Sequence, residues 1–303
     1  MSEAPASPLM SAAARLRARL DEGGIIAAPG APDALTARLV EKAGFGAVYM
    51  TGLGATAARV GQPDLGILTQ TEMADHARAM VRAVGIPVIA DADTGYGGPL
   101  NMRRTVREYI QAGVGAMHIE DQISPKRCGQ LTGVRLVDRR EGVLRLKAAV
   151  EARAEAGADV VIIGRTDALQ PEGLASALDR AKAYGDAGVD LLFVDGVKTR
   201  AEVEGIAAGL DAPKIVSIVD GTDAANLTVT DLQQMGFCMA LYAVTTLFSA
   251  AAAIRSALDH LKVQGSPQGI APQITYAEFC DIVGLADFQE FAHRHEMGPE
   301  TGD

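Results

Sequence analysis

Short runs of apolar and β-branched residues alternate along the chain with longer stretches in which apolar positions recur every three or four residues. The short runs are Ile25–Ala28, Ala47–Met50, Pro87–Ala90, Ala116–Ile119, Val160–Ile163, Leu191–Val194, Ile215–Ile218 and Cys238–Leu241. None alternates apolar with polar, the pattern of strands buried on both faces. Helical spacing occupies Leu35–Ala43, Thr71–Val84, Asn101–Ala112, Arg140–Ala156, Gly173–Ala187 and Arg200–Gly209. Several of these stretches close on Ala-Gly, at Gly44, Gly113, Gly157 and Gly188, where glycine accepts the left-handed conformation that ends a helix. Eight strands with helices between them predict an α/β fold, a parallel (β/α)8 barrel; an open doubly wound sheet would show the same alternation.

No linker interrupts the pattern, so one domain is expected over residues 1–303, with tails at 1–10 and 293–303 outside the ordered structure. Beyond the eighth strand the sequence predicts a helix over Thr245–Val263, a Gly/Pro link over Gln264–Pro272 and a final helix over Thr275–His293. That last helix carries Tyr276, Phe279, Ile282, Val283, Leu285, Phe288 and Phe291. A face so apolar needs a cover, and a second subunit would supply one.

Composition narrows the class. A formal charge of −10 argues against a nucleic-acid or anionic-membrane partner. Three scattered cysteines build neither a disulfide framework nor a zinc cluster. The opening MSEAPASPLM lacks the apolar run of a signal peptide, and no later stretch has the ~18 apolar residues of a membrane helix. The expectation is a cytoplasmic enzyme acting on a small molecule.

In a barrel, chemistry gathers where strands end and the following loops begin. Asp91 and Asp93 follow the third predicted strand and Glu120 follows the fourth. Carboxylates on neighbouring strand ends repel one another unless a cation joins them, and hard oxygen ligands suit Mg2+, with Mn2+ as a substitute. Arg165 follows the fifth strand, where it serves either a structural ion pair or a planar clamp for a substrate carboxylate. Cys128 lies in the loop Pro125-Lys126-Arg127-Cys128-Gly129-Gln130, whose cations should favour the thiolate. Cys238 and Cys280, inside apolar runs, read as small buried hydrophobes.

The runs Asp91-Ala92-Asp93-Thr94-Gly95-Tyr96-Gly97, His118-Ile119-Glu120-Asp121-Gln122, Lys126-Arg127-Cys128-Gly129 and Arg165-Thr166-Asp167-Ala168 occur in one order. With Tyr49-Met50-Thr51-Gly52 and Gly61-Gln62-Pro63-Asp64-Leu65-Gly66, they resemble the isocitrate lyase/phosphoenolpyruvate mutase superfamily from about residue 20 to 290. The methylisocitrate lyase/dimethylmalate lyase branch is the most similar part of that superfamily. The resemblance implies that Asp91 ligates Mg2+ directly, with Asp64, Asp93 and Glu120 holding metal-bound waters. It implies that Thr51, Gly52, Leu53 and Arg165 grip the keto-acid carboxylate, and that Tyr49 assists deprotonation of the substrate hydroxyl. Cys128 would protonate the departing fragment from a gating loop, with Lys126, Arg127, Gly129 and Gln130 beside it and Asp195 and Ser217 across the pocket.

The implied activity is Mg2+-dependent C–C cleavage of a 2-hydroxy diacid, alkylmalate or methylisocitrate-like, to pyruvate or glyoxylate and a carboxylic acid. The implied assembly is a homotetramer with the last helix swapped between subunits. Decarboxylation of oxaloacetate, or phosphonopyruvate hydrolase or mutase chemistry, is the alternative on the same scaffold; a barrel that only binds is a third. Four positions depart from the lyase pattern: Gln130 stands for His, Asp195 for Glu, Ser217 for Asn and Phe248 for Arg. All four fall on the side of the non-keto fragment, which argues against a tricarboxylate.

Overall fold

A computed structural model describes residues 10–296. Eight strands form a closed parallel barrel in sequence order. They are β1 (Ile26–Ala31), β2 (Val48–Met50), β3 (Val88–Asp91), β4 (Ala116–Glu120), β5 (Val161–Thr166), β6 (Leu191–Val194), β7 (Lys214–Ile218) and β8 (Met239–Tyr242). Pairing of β1 with β8, Ile26 opposite Met239 and Ala28 opposite Leu241, closes the ring and excludes the open sheet.

Because successive side chains point to opposite faces, each strand supplies two shells of packing. One face meets the helices through residues such as Met50, Ala90, Met117, Ile162 and Val216. The other fills the barrel with Ile26, Tyr49, Ile89, Ala116, Ile163, Leu191, Phe193, Ile215 and Met239. Two residues further along, the inward positions turn polar: Ile89 is followed by Asp91, Ala116 by His118 and Glu120, Ile163 by Arg165, Phe193 by Asp195, and Ile215 by Ser217. The alternation that packs the core therefore also aims the chemical groups into the mouth.

The helix Ala12–Asp21, to which the sequence pattern assigned nothing, is started by Ser11, whose side chain accepts from the Ala14 N–H. Its Leu16 is fully buried within the interior cluster at the strand starts. Ala13 is buried as well and Leu20 packs against the same cluster, so the helix turns one apolar stripe to the strand starts. A second unanticipated helix, Gly52–Val60, begins directly after β2.

The chain forms two compact units, one ending at Phe248 and one beginning at Ser249. In the second, the expected single final helix is two, Tyr276–Val283 and Leu285–His295. Gly284 separates them at φ 75°, left-handed, so the periodic apolar positions continue while the backbone does not. His293–His295, expected to begin the tail, are helical. Expectations for 1–9 and 297–303 lie outside the described residues. Among the described residues no helix is long and apolar enough to cross a membrane.

Candidate active site

The mouth of the barrel encloses a cavity of about 100 Å³, room for a small organic acid. Tyr49, Thr51, Leu53, Asp64 and Asp91 line it from the β2–β3 side, Arg165 from β5, and Cys128, Gly129 and Gln130 from above. Phe193, Asp195, Ser217, Val219, Ala243, Val244 and Phe248 complete the opposite wall. Of the expected site residues, Gly52, Asp93, Glu120 and Lys126 stand behind this lining, and Arg127 points away. Arg127 is exposed, and its guanidinium donates to the Thr132 carbonyl at 3.0 Å.

Asp91 is the centre of the carboxylate group. It is 3% exposed and accepts from the Gly52 N–H at 3.1 Å and the Asp93 N–H at 2.9 Å. A β-carbon at Gly52 would lie 2.4 Å from Asp91 Oδ2, so that amide reaches the carboxylate only because residue 52 has no side chain. Burial opposes ionisation of Asp91, but the field of His118, Lys126 and Arg165 more than offsets it and takes the carboxyl down to about 2. Lys126 Nζ lies 2.8 Å from Asp64 and 2.7 Å from Asp93, drawn into the interior from the loop. Burial raises Asp93 to about 6 against the pull of Lys126, with Asp91 and Asp64 adding to the rise.

Glu120 is 2% exposed, and neither of its carboxylate oxygens receives a hydrogen bond. Its nearest cation is Arg165 Nε at 3.3 Å, and burial pushes its pKa well up. Two buried oxygens without donors beside an ionised Asp91 form an oxygen-only ligand set that fits Mg2+ and its waters. Among the described residues no three His, Cys, Asp or Glu side chains are arranged to hold a metal directly.

Arg165 does not stand free as a clamp. Its Nη2 contacts Asp195 at 2.6 Å and Asp167 at 2.9 Å, and Phe193 lies beneath the guanidinium at 5.4 Å. Arg165 is a buried ion pair, and the same side chain lines the cavity. Asp167, which stands in the sequence only as part of the Arg165-Thr166-Asp167-Ala168 motif, anchors the arginine.

The field around Cys128 overturns one expectation. Burial, with Asp195 and Asp64 adding to it, raises the thiol to about 11, against a backbone hydrogen bond at Gln130 that favours the thiolate. Lys126 is committed to carboxylates and Arg127 faces outward, so neither favours the thiolate. Cys128 is held as a protonated thiol. The loop closes tightly here: a β-carbon on Gly129 would sit 2.5 Å from Asp195 Oδ2 and 2.7 Å from Asp167 Oδ1.

His118 was missed as a site residue. It is fully buried, and its Nε2 lies 3.0 Å from Tyr49 Oη, its Nδ1 3.6 Å from Asp91. Burial, against the pull of Asp91, lowers its pKa to about 4, so the ring is neutral at pH 7 and its Nε2 can accept a hydrogen bond from the phenol. Tyr49 itself is pushed well above its ordinary value by burial and by Asp91. The signal was present as alternation: His118 lies two residues before Glu120 on the same inward face.

A carboxylate cluster, a buried arginine and a thiol on a loop over the mouth of a closed barrel define a class of barrel enzymes that act on small organic acids. The phosphoenolpyruvate phosphomutase family model matches residues 16–262, and the chain belongs to that family. It is 39% identical to a 2,3-dimethylmalate lyase of Eubacterium barkeri over 290 residues, covering 95% of this chain and 100% of that protein. It is also 39% identical to a 2-methylisocitrate lyase of Halalkalibacterium halodurans over 276 residues, covering 91% and 90%. Oxaloacetate acetylhydrolase bound to 3,3-difluorooxalacetate superposes with a TM-score of 0.89 at 38% identity, covering 94% and 97%. Phosphonopyruvate hydrolase with oxalate and Mg2+ gives 0.85 at 29%, covering 94% and 99%.

Proposed function

We propose that the protein is a Mg2+-dependent carbon–carbon lyase that cleaves a small 2-hydroxy diacid of the alkylmalate type to an α-keto acid and a carboxylic acid. The observation that carries this is Cys128, a protonated thiol lining the cavity above the carboxylate cluster. Asp91 would hold the ion directly, with Glu120, Asp93 and Asp64 on its waters; when bound, Mg2+ would polarise the C2 oxygen and offset its charge. Thr51, Leu53 and Arg165 orient the C2 carboxylate, while Gly52 holds Asp91 from behind.

The proton steps fall to this chain's own groups. Tyr49 Oη would relay the proton of the C2 hydroxyl, accepting it as the phenol's own proton moves to His118 Nε2, 3.0 Å away. As C2=O forms, the C2–C3 bond breaks and its electron pair passes into the fragment conjugated with the second carboxylate. Cys128 Sγ–H then protonates C3, and the acid leaves. Gln130 and Ser217 are the polar groups for the second carboxylate, and Val219, Val244 and Phe248 accommodate alkyl substituents. Val219, Val244 and Phe248 offer no cation to a third carboxylate, which disfavours a tricarboxylate.

A second reading is hydrated oxaloacetate, cleaved by the same bond-breaking to oxalate and acetate; the likeness to oxaloacetate acetylhydrolase favours it. A panel of alkylmalates, methylisocitrate and oxaloacetate with Mg2+, followed by release of pyruvate, glyoxylate or oxalate, separates the two. Cys128→Ser should lose about 10²–10⁴-fold in turnover while oxalate affinity stays near wild type. Wild-type turnover in that variant would remove the lyase reading.

We further infer a cytoplasmic homotetramer in which the helices of residues 276–295 pack on a neighbouring subunit. Support comes from Tyr276, Phe288 and Phe291, 84%, 69% and 60% exposed in the single chain. Light scattering that gives a monomer at micromolar concentration would refute the assembly.

A further inference from the structure

The loop that carries Cys128 leaves the barrel at Gln122 and returns at Leu136. Its stem is closed by backbone: the Ile123 N–H donates to Arg135 at 2.8 Å, the Val137 N–H donates to Asp121 at 2.9 Å, and Gln122 pairs with Leu136 in an antiparallel bridge. The stem fixes where the loop begins and ends. The segment bearing Lys126 to Gln130 needs anchors of its own, and the Gln122 side chain supplies one.

Gln122 is 1% exposed. Its Oε1 accepts from the Arg127 N–H at 3.0 Å, and its Nε2 donates to the Arg127 carbonyl at 2.8 Å, so the amide grips both sides of one loop residue. The same Nε2 donates to Asp167 Oδ2 at 3.0 Å. Both N–H groups of the amide are thereby used, one on the loop and one on the barrel. The other oxygen of Asp167 holds Arg165, at 2.9 Å from Nη2 and 3.2 Å from Nε. Beneath this chain lies a fixed base. Asp121 accepts from the Asp167 N–H at 3.0 Å, and from the Thr166 and Tyr184 hydroxyls at 2.7 Å each. The line from loop to guanidinium is continuous: Arg127 backbone, Gln122 amide, Asp167 carboxylate, Arg165.

We propose that Gln122 is a positioning residue that couples the closed position of the Cys128 loop to the orientation of Arg165 through Asp167. With the loop seated, the amide is locked and Asp167 turns its second oxygen to the arginine. With the loop lifted, the amide loses both bonds to Arg127 and is free to rotate, and Asp167 loses the partner that fixed its tilt. The thiol and the carboxylate grip then come into register together. The coupling rests on the lyase reading only for its catalytic consequence.

The test uses Cys128 as its own reporter in the ligand-free protein. Iodoacetamide labelling is followed by peptide mass, with Cys238 and Cys280 as internal controls. Gln122→Met keeps the length and removes the amide; it should speed Cys128 labelling by about tenfold, the weight of the two neutral hydrogen bonds to Arg127, with the controls unchanged. Asp167→Asn should speed it less. The double variant should label no faster than Gln122→Met alone, the signature of one connected path. Multiplying effects in the double variant, or an unchanged rate in Gln122→Met, overturn the coupling.

If Gln122→Met fails to fold, Gln122→Glu keeps the acceptor for the Arg127 N–H and removes the donors to the Arg127 carbonyl and to Asp167, so labelling should still rise, and an unchanged rate overturns the coupling. Labelling needs no substrate, so absence of turnover on every diacid would count against the reaction and leave this inference to its own data. Where turnover is found, Gln122→Met should raise KM and lower kcat together, whereas Cys128→Ser lowers kcat alone. A Gln122→Met enzyme with altered thermal stability but wild-type KM and kcat would assign the residue to the fold only.

Discussion

The two halves of the barrel mouth are built on opposite principles. Around β3 to β5, Asp91, Glu120 and Arg165, with Lys126 and Asp93, form a buried lattice in which charged groups hold one another. Around β7 and β8 the wall is Ser217, Val219, Ala243, Val244 and Phe248, with no charge at all. A lattice of that kind tolerates little change, because removing one member strands the others without water to solvate them. An apolar wall can be reshaped at small cost. The difference suggests where reaction type and substrate choice reside: chemistry in the first half, selection in the second.

The largest effect should come from breaking the charged half. Asp91→Ala removes the direct ligand for the ion, a loss of several kcal/mol of transition-state stabilisation. Turnover and Mg2+-dependent oxalate binding should both vanish, while circular dichroism stays native. Full activity in excess chelator would contradict the assignment. An intermediate effect belongs to the thiol where the halves meet. An ordinary thiol titrates near 9 and Cys128 at about 11, so near pH 8 it should label about 100-fold more slowly than an unperturbed thiol. The sign matters: a raised pKa keeps the acid protonated through neutrality, so labelling should climb only as pH approaches 11. A labelling midpoint near 7 would instead mean that Lys126 or Arg127 governs the thiol.

The smallest effect should come from the apolar half. Phe248→Arg places a cation where the described residues of this wall have none and should shift kcat/KM toward diacids bearing an additional carboxylate, by about 10-fold. The retained rate on the native substrate is the informative control. If Phe248→Arg abolished every activity, the division of labour between the halves would be lost.

Much of the scaffold was legible because it follows from local rules. All eight strands fall within the apolar runs or extend them by a few residues, since strands buried on both faces leave an unbroken signature. The carboxylates and Arg165 were found because they sit where those runs stop. What escaped depends on contacts distant in sequence. Nothing local to Arg165 says that Asp195 and Asp167 will close on it, and nothing near Cys128 says that Lys126 will turn inward to Asp64, 62 residues away. His118 was hidden by its neighbours, because a histidine inside Ala116–Glu120 reads as strand filler until Tyr49 is seen beside it. The break at Gly284 was hidden for the converse reason: the apolar period runs straight through a residue whose backbone does not.

Gly129 gives the closed loop an unusual vulnerability. Its backbone rests on Asp195 and Asp167 with no room for another atom, since a β-carbon would approach to 2.5 Å. A single methyl group there would act as a doorstop, lifting the loop by about the ångström needed to restore van der Waals distance. Gly129→Ala takes away no charge, no donor and no acid. It would leave the machinery whole and the door ajar.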